Sequence, residues 1–187
     1  MSAAAFEARY RAEGDPWRTL SDPAERAKAE AVLAACGEGP FASVVDLGAG
    51  LGVLAAALAP RSRRLLALDA APTAVAAAAG RLARWPGARA EVAVFPDDLP
   101  GGSFDLVVAS EVLYYLAPVA FAATLRWLDD AVAAAGRVVA VHWTGSAPDL
   151  QRSADDVHDA LARRPGLTRL ATTRADTYRL DVLAAGA

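Results

Sequence analysis

The segment that most constrains the fold is a short apolar run that leads directly into a glycine-rich turn. Residues 44–47 read Val-Val-Asp-Leu, and residues 48–52 read Gly-Ala-Gly-Leu-Gly. Residues 51–59 then have helical character, and Pro60 ends them. A strand that enters a helix through such a turn brings the backbone close to a ligand and directs free N–H groups toward it. The sequence therefore predicts an α/β fold with a ligand site at this turn.

The spacing of the glycines and the acid before them distinguish two kinds of ligand. Dinucleotide-binding turns have the pattern G-x-G-x-x-G, with the pyrophosphate at the helix N-terminus. Here the pattern is G-x-G-x-G, and Asp46 stands two residues before the first glycine. A carboxylate repels phosphate and attracts an amino group. The arrangement therefore favours S-adenosylmethionine (SAM), which carries an ammonium and a sulfonium group but no phosphate.

A second acid strengthens this interpretation. Residues 65–69 read Leu-Leu-Ala-Leu-Asp, a buried strand that ends in Asp69. A carboxylate in this place can accept hydrogen bonds from both hydroxyls of a ribose. The alternative is an ordinary α/β turn followed by a surface aspartate. The order of Asp46, the glycine turn and Asp69 is more specific than a glycine turn alone.

Length and composition exclude several classes of function. The 187 residues suggest a single domain, 1–187, and the net charge of −3 without a basic block disfavours nucleic acid as a partner. The single Cys36 excludes an internal disulfide, and the two histidines show no metal-ligand spacing. No metal site is therefore expected, and the predicted partner is a small molecule. The chain is expected to act as a monomer or a homodimer.

The N-terminal residues and the hydropathy argue against a membrane protein. Glu7 and Arg9 come too early for the apolar region of a signal peptide, and no apolar run is long enough to cross a membrane. We therefore expect a soluble, cytoplasmic protein.

The rest of the chain alternates between predicted strands and helices. Strands are predicted at 90–94, 104–109 and 137–142, and helices from Asp22 to Cys36, from Pro72 to about Trp85, at 118–134 and after Ser153. Asp22 and Glu25 have the spacing of a capping box. The last two strands, 167–174 and 178–183, are too close for a helix between them and must form an antiparallel hairpin. This order predicts a doubly wound sheet with one antiparallel strand.

Residues 1–20 precede the predicted core and carry three aromatic residues in a polar segment, Phe6, Tyr10 and Trp17. Phe6 and Tyr10 have the i, i+4 spacing of one helix face. The segment is either a helix that packs two rings on the domain or an N-terminal helical lid over the ligand. In the second case Tyr10 and Trp17 lie near the cofactor.

With these residues assembled, the sequence resembles the class I SAM-dependent methyltransferases over nearly its whole length. More narrowly, it resembles the nodulation-protein-S-like N-methyltransferases. The similarity rests on Asp15-Pro16-Trp17, on Phe104-Asp105-Leu106-Val107-Val108, on Ser110-Glu111-Val112-Leu113-Tyr114-Tyr115-Leu116 and on Val141-His142-Trp143. It implies a Rossmann-like, seven-stranded sheet of order 3-2-1-4-5-7-6. It also implies methyl transfer from SAM, with S-adenosylhomocysteine as product, to the amine of an amino sugar or similar polar amine.

Ligands of such sheets bind beyond the carboxyl ends of the strands. The residues expected to hold the cofactor are Tyr10, Trp17, Asp46, Gly48, Ala49, Gly50, Gly52, Asp69, Ala70, Val94, Phe95, Pro96, Ser110 and Glu111. Many class I enzymes have an acid at the end of strand three that binds the adenine amino group. This sequence has residues 94–96 there, so adenine should be held by backbone groups and apolar packing, with Asp97 or Asp98 as substitutes.

An amine acceptor must lose its proton before it attacks a methyl group. His142, at the end of a buried strand, is the predicted base by position and by the usual pKa of imidazole. Glu111 and Tyr114 are the other predicted catalytic residues. The alternatives are that His142 is a hydrogen-bonded structural histidine, that Glu111 only caps a turn, and that Tyr114 packs in the core. His158 lies on an acidic helix face, and only the resemblance makes it a candidate base.

Three other functions stay open at this point. An NAD-dependent oxidoreductase explains the turn and Asp69 but not Asp46. A SAM-fold protein without activity would be expected to lack the glycine turn or Asp69. An O- or C-methyltransferase of a natural product would have the same cofactor site and a different acceptor.

Overall fold

The apolar run before the glycine turn is a central strand of a seven-stranded sheet. The computed structural model describes residues 1–186. The strands are β1 (Val44–Leu47), β2 (Leu65–Asp69), β3 (Ala88–Val92), β4 (Phe104–Ser110), β5 (Val132–Trp143), β6 (Leu167–Arg174) and β7 (Tyr178–Ala185). Their order in the sheet is β3-β2-β1-β4-β5-β7-β6, which confirms the predicted order.

Strands β1 to β5 run parallel to one another, whereas β7 runs antiparallel to both β5 and β6. All four residues of β1 are buried, as expected for a strand covered by helices on both faces. Val45 and Leu47 belong to one apolar core, and Val44 belongs to the other, because successive side chains of a strand point to opposite faces.

Residues 1–186 contain six α-helices. They are α1 (Ala3–Glu13), α2 (Pro23–Cys36), α3 (Val53–Leu58), α4 (Pro72–Leu82), α5 (Pro118–Ala131) and α6 (Ala154–Ala162). The side chain of Asp22 caps α2, but the predicted reciprocal bond from Glu25 is absent because Glu25 binds Lys28 instead. A capping box does form in α6, between Ser153 and Asp156. Among residues 1–186, no helix has both the length and the apolar character needed to span a membrane.

The junction between α5 and β5 differs from the sequence prediction. The helix ends at Ala131, and β5 begins at Val132 rather than at Arg137. Val132 pairs with Phe104, and the register then shifts before Leu106 pairs with Arg137. The irregular stretch contains Ala135, whose φ is 59°. An alternation pattern cannot predict such a bulge because it interrupts the period of two residues on which strand prediction depends.

Candidate active site

A cavity of about 1120 Å³ opens at the carboxyl ends of the parallel strands. Its lining includes residues from the glycine turn, from the ends of β2 and β4, and from the N-terminal segment that covers it. Most of the predicted cofactor residues line this cavity, namely Tyr10, Trp17, Asp46, Gly48, Ala49, Gly50, Asp69, Ala70, Val94, Phe95, Ser110 and Glu111. The sheet therefore brings together residues that are far apart in the sequence.

Asp46 is the most unusual of these residues. Only 1% of it is exposed, and neither carboxylate oxygen has a hydrogen-bond partner among the described residues. Burial, with a smaller contribution from the negative charge of Asp69, raises the pKa of Asp46 to about 7. A buried carboxylate without a partner is costly. A cation in the cavity would remove this cost.

The backbone of the turn is held in a conformation that favours glycine. Gly48, Gly50 and Gly52 all have positive φ values, of 70°, 53° and 78°. The N–H group of Gly50 donates to Oδ2 of Asp69 at 2.9 Å, and a Cβ at Gly50 would lie 2.8 Å from the hydroxyl of Tyr10. The turn and the N-terminal segment therefore approach each other closely above the cavity.

Gly52 does not line the cavity, so the prediction that it contacts the cofactor is not supported. A Cβ at Gly52 would lie 2.8 Å from the Cβ of Ala78 in α4. This glycine is therefore needed for the close packing of α3 on α4.

Asp69 is oriented by two backbone donors and has acceptor capacity left. Gly50 donates to Oδ2 and Ala71 donates to Oδ1, each at 2.9 Å. Burial raises the pKa of Asp69 above its ordinary value, while these two hydrogen bonds oppose the shift. A carboxylate offers about four lone-pair sites, so each oxygen can still accept from a hydroxyl.

The predicted adenine end is formed by Ala93, Val94 and Phe95. Pro96 is outside the lining, as are Asp97 and Asp98. Because β3 ends at Val92, residues 93–99 form a loop, and Asp98 accepts the N–H group of Val94 at 2.9 Å. Asp98 therefore shapes this loop rather than facing the cavity.

Glu111 lies at the opposite end of the cavity and accepts three hydrogen bonds. The donors are Nζ of Lys28 at 2.6 Å, the N–H group of Trp143 at 2.9 Å and the hydroxyl of Tyr114. Burial and the adjacent Glu111 charge raise the pKa of Tyr114, so its hydroxyl stays protonated. Burial alone would lower the pKa of Lys28. The neighbouring Glu111 and Glu25 raise it by more than burial lowers it, so Lys28 stays charged. These three donors hold the Glu111 side chain in place.

His142 does not reach the cavity, and the prediction that it is the catalytic base is not supported. Its side chain is completely buried behind the cavity wall. Nε2 of His142 accepts a hydrogen bond from the N–H group of Leu113 at 3.2 Å, and Nδ1 of His142 lies 3.2 Å from Nε2 of His158. Burial, followed by the effect of His158, lowers the pKa of His142 well below its usual value. His158 is also fully buried and outside the cavity.

The N-terminal segment covers the cavity and is tied down on two sides. Glu7 accepts hydrogen bonds from the backbone N–H and the hydroxyl of Thr73, at 2.9 and 2.8 Å, at the start of α4. On the other side, Arg9 lies 3.6 Å from Asp149. The ring of Tyr10 packs on Trp17 with centroids 5.3 Å apart. The predicted N-terminal helix is present and covers the cavity, and its action as a lid stays a prediction.

Lys28 lines the cavity and was not predicted from the sequence. It is the only lysine of the chain, and its i, i+3 pair with Glu25 is a contact within α2. Its contact with Glu111 spans 83 residues of sequence, and no local pattern reports such a contact.

Comparison with known proteins agrees with the geometry of the site. Residues 45–138 match the family model described as "Methyltransferase domain". Nodulation protein S from Rhizobium tropici is 34% identical over 114 residues, which are 58% of this chain and 46% of that protein. The nodulation protein S of Sinorhizobium fredii is 32% identical over 107 residues, which are 57% of this chain and 50% of that protein. The chain spans about half the length of the curated relatives it matches.

Solved structures show the same fold. The N-methyltransferase NodS from Bradyrhizobium japonicum, solved with S-adenosyl-L-homocysteine, has a TM-score of 0.87 and 23% identity, and the match covers 99% of both chains. A methyltransferase-type protein from Pseudomonas syringae has a TM-score of 0.74 and 32% identity, and the match covers 86% of this chain and 98% of that one. Since the family model spans half of this chain and begins within the strand that carries Asp46, the chain belongs to the methyltransferase domain family.

Proposed function

We propose that this chain binds SAM and transfers its methyl group to an amine of a polar small molecule. The observation that carries the proposal is Asp46, a buried carboxylate on the cavity wall whose two oxygens have no partner among the described residues. The cavity needs a cation at this point, and the ammonium group of SAM supplies one. An anionic pyrophosphate would make the burial of Asp46 still more costly.

The other residues of the cavity fit the remaining parts of SAM. Asp69 has free lone pairs for the two ribose hydroxyls, and residues 93–95 offer an apolar surface for adenine. Lys28 is a charged donor suited to the carboxylate of the methionine part. The cavity of about 1120 Å³ is larger than the 300–1,000 Å³ typical of a site for one small ligand. It therefore leaves space for an acceptor beside the cofactor.

When bound, SAM supplies a methyl group on a sulfonium, which is a good leaving group. The protein must then hold the nucleophile in line with the methyl group and exclude water. The nitrogen lone pair of the acceptor forms the new N–C bond as the S–C bond breaks, and the nitrogen afterwards loses a proton. Because His142 is outside the cavity and Glu111 has three donors, we infer that the amine loses its first proton to water before it attacks.

The choice of nitrogen as the acceptor atom rests on two observations. The chain resembles nodulation-protein-S-like enzymes, and the structurally similar NodS protein from Bradyrhizobium japonicum is named an N-methyltransferase. The lining also contains the carboxylates of Glu111 and Asp149, which pair with Lys28 and Arg9 and whose remaining lone pairs can accept hydrogen bonds from an amine. Amino sugars are the first acceptors to test.

The cofactor assignment is tested by calorimetric titration with S-adenosylhomocysteine and, separately, with NADH. We expect binding of S-adenosylhomocysteine only. The variant Asp46→Asn should weaken this binding by about 1.5–3 kcal/mol, since it removes the charge from a hydrogen bond to an ammonium. Asp97→Asn is the matched control, because Asp97 is exposed and outside the cavity. Binding of NADH alone, or equal affinity in both variants and wild type, would contradict the assignment.

The acceptor assignment is tested by methyl transfer from labelled SAM to a panel of amino sugars, alkyl amines, phenols and enols. N-methylated products support the proposal. Products methylated only on oxygen or carbon would reject N-methylation and leave the cofactor assignment intact.

A further inference from the structure

The end of β5 holds the cavity segment 111–115 by three hydrogen bonds. The N–H group of Glu111 donates to the carbonyl of Val141 at 2.9 Å. The N–H group of Trp143 donates to the Glu111 carboxylate at 2.9 Å. Between these two contacts, Leu113 donates its N–H group to Nε2 of His142 at 3.2 Å. Leu113 begins the short 3₁₀ helix that carries Tyr114 and Tyr115 into the cavity wall.

These contacts define the protonation of two buried histidines. A backbone N–H is only a donor, so Nε2 of His142 must be unprotonated and the proton of neutral His142 lies on Nδ1. Nδ1 therefore donates to Nε2 of His158, and the proton of His158 lies on its own Nδ1. That atom is 3.1 Å from the carboxylate of Asp181. The hydrogen bonds thus run from Leu113 through His142 to His158, and Nδ1 of His158 lies close to the Asp181 carboxylate without the alignment of a hydrogen bond.

The Asp181 end of this series is fixed by charge. Arg179 lies 3.1 Å from Asp181 and also contacts Asp155 and Asp159 on α6. His142, His158 and Asp181 are each completely buried, so water does not compete for these contacts. The orientation of the His142 ring is thus determined by β7 and α6, on the side away from the cavity.

The segment that His142 holds is locally strained. Glu111 has a φ of 55°, which is uncommon for a residue other than glycine. Such a conformation persists only where the surrounding structure enforces it. The same residue places its carboxylate among Lys28, Tyr114 and Trp143 at the acceptor end of the cavity.

We propose that His142, oriented by His158 and Asp181, is a positioning residue for methyl transfer: it holds the 111–115 segment so that Glu111 and Tyr114 face the acceptor. The inference rests on the proposed function. In this role His142 acts through the Leu113 N–H group and never touches the acceptor or the cofactor.

Two variants that differ only in reach test this role. In His142→Gln the side-chain amide reaches the place of Nε2 and can still accept from Leu113. In His142→Asn it ends near the place of Nδ1 and cannot. We expect His142→Asn to lower kcat by about 10- to 100-fold, the size of effect that a displaced catalytic segment produces. His142→Gln should recover most of the rate. The Kd for S-adenosylhomocysteine should change by less than kcat does, because Asp46 and Asp69, which hold the cofactor on the proposed function, lie on β1 and β2 and not on the 111–115 segment.

Hydrogen exchange gives a readout that needs no acceptor. The Leu113 amide should exchange slowly in wild type and in His142→Gln, and faster in His142→Asn. If His142→Asn does not fold, His142→Leu, which fills the site without an acceptor atom, replaces it. A folded variant with wild-type kcat, or with wild-type protection of Leu113, would overturn the inference alone. A wild-type protein that methylates no amine would overturn the proposed function and the positioning role of His142 together.

Discussion

At the scale of single residues, Asp46 and His142 show what burial does to a titratable group. Both are almost completely buried, but Asp46 faces a cavity without a partner whereas both nitrogens of His142 have neighbours inside the protein. Burial disfavours the charged form in each case, so the pKa of Asp46 rises and that of His142 falls. The two shifts lead to different expectations for function.

Cofactor binding should depend on pH through Asp46. Below pH 7 its carboxyl group is mostly protonated in the free protein, since its pKa is raised to about 7. The ammonium of the cofactor favours the ionised form, so binding must release a proton there. We expect the affinity for S-adenosylhomocysteine to fall by up to about tenfold per pH unit below 7. Asp46→Asn should remove most of this dependence in titrations between pH 5 and 8, and an unchanged slope would show that another group titrates.

The raised pKa of Asp46 also affects the stability of the unliganded protein. Affinity for the cofactor rises with pH, whereas the contribution of Asp46 to stability falls with pH. A carboxyl group whose pKa is higher in the folded state binds more protons there than in the unfolded state. Stability therefore falls as the pH rises from about 4, the ordinary pKa of an aspartate, to about 7. The cofactor restores what the buried charge costs. Asp46 thus lowers stability for the benefit of binding, as is common at functional sites.

At the scale of elements, the glycine turn separates into a part that faces the cavity and a part that packs. Gly50 approaches Tyr10 across the cavity, whereas Gly52 brings α3 against Ala78 of α4. Gly50 and Gly52 both have a positive φ, which favours glycine at either position. The spacing of the motif therefore does not show which glycine faces the cavity and which one packs on α4. The identity of the neighbour distinguishes them, and it depends on how α1 and α4 pack.

The variant Gly52→Ala should therefore act on stability. The added Cβ would lie 2.8 Å from Ala78, and the positive φ strains any side chain. We expect a loss of about 1–3 kcal/mol in the free energy of unfolding, measured by chemical denaturation. Gly80→Ala is the matched control: Gly80 is an exposed helical glycine of α4 with no atom near its Cβ position, and it should gain about 0.5–1 kcal/mol. Equal stability of the two variants would contradict the packing role of Gly52.

At the scale of the whole molecule, α1 connects α4 with the loop that follows β5. Its contacts with Thr73 and Asp149 lie on opposite sides of the cavity, and its aromatic residues pack on Trp17 and Tyr115. If α1 acts as a lid, we expect it to loosen before a ligand enters or leaves. Its stability should therefore set the rate of exchange rather than the integrity of the sheet.

The Glu7 contact offers a direct test of this lid. Glu7→Ala removes both hydrogen bonds to Thr73 and should speed hydrogen exchange of residues 3–13 and the dissociation of S-adenosylhomocysteine. Glu13→Ala, which removes only an exposed pair with Arg9 on the same helix, should change neither rate. Protection of the sheet amides should stay the same in both variants. If Glu7→Ala leaves α1 as protected as in wild type, other contacts hold the lid closed.

The alternation of elements predicted a doubly wound sheet with an antiparallel C-terminal hairpin and the edge of the sheet where the cavity lies, whereas the strand order came from the family resemblance. Asp46 and Asp69 were predictable because each follows apolar strand residues and the carboxyl ends of parallel strands meet. The burial of His142 was not predictable, since it depends on β7 and α6 packing behind β5 and bringing Asp181 and His158 there. The place of Lys28 in the cavity wall was not predictable for the same reason, because its partner Glu111 is distant in sequence. Local patterns give the elements and their ends, whereas contacts between distant elements decide the chemistry of each side chain.

Asp46 and Asp69 have a further consequence for catalytic turnover. On the proposed function they hold the ammonium and the ribose, and methyl transfer changes neither group. Most of the binding energy is therefore shared by the cofactor and its demethylated product. We infer strong product inhibition, which would appear as a Kd for S-adenosylhomocysteine no weaker than that for SAM. Sustained methylation would then need a separate hydrolytic or nucleosidase-type reaction that removes the product.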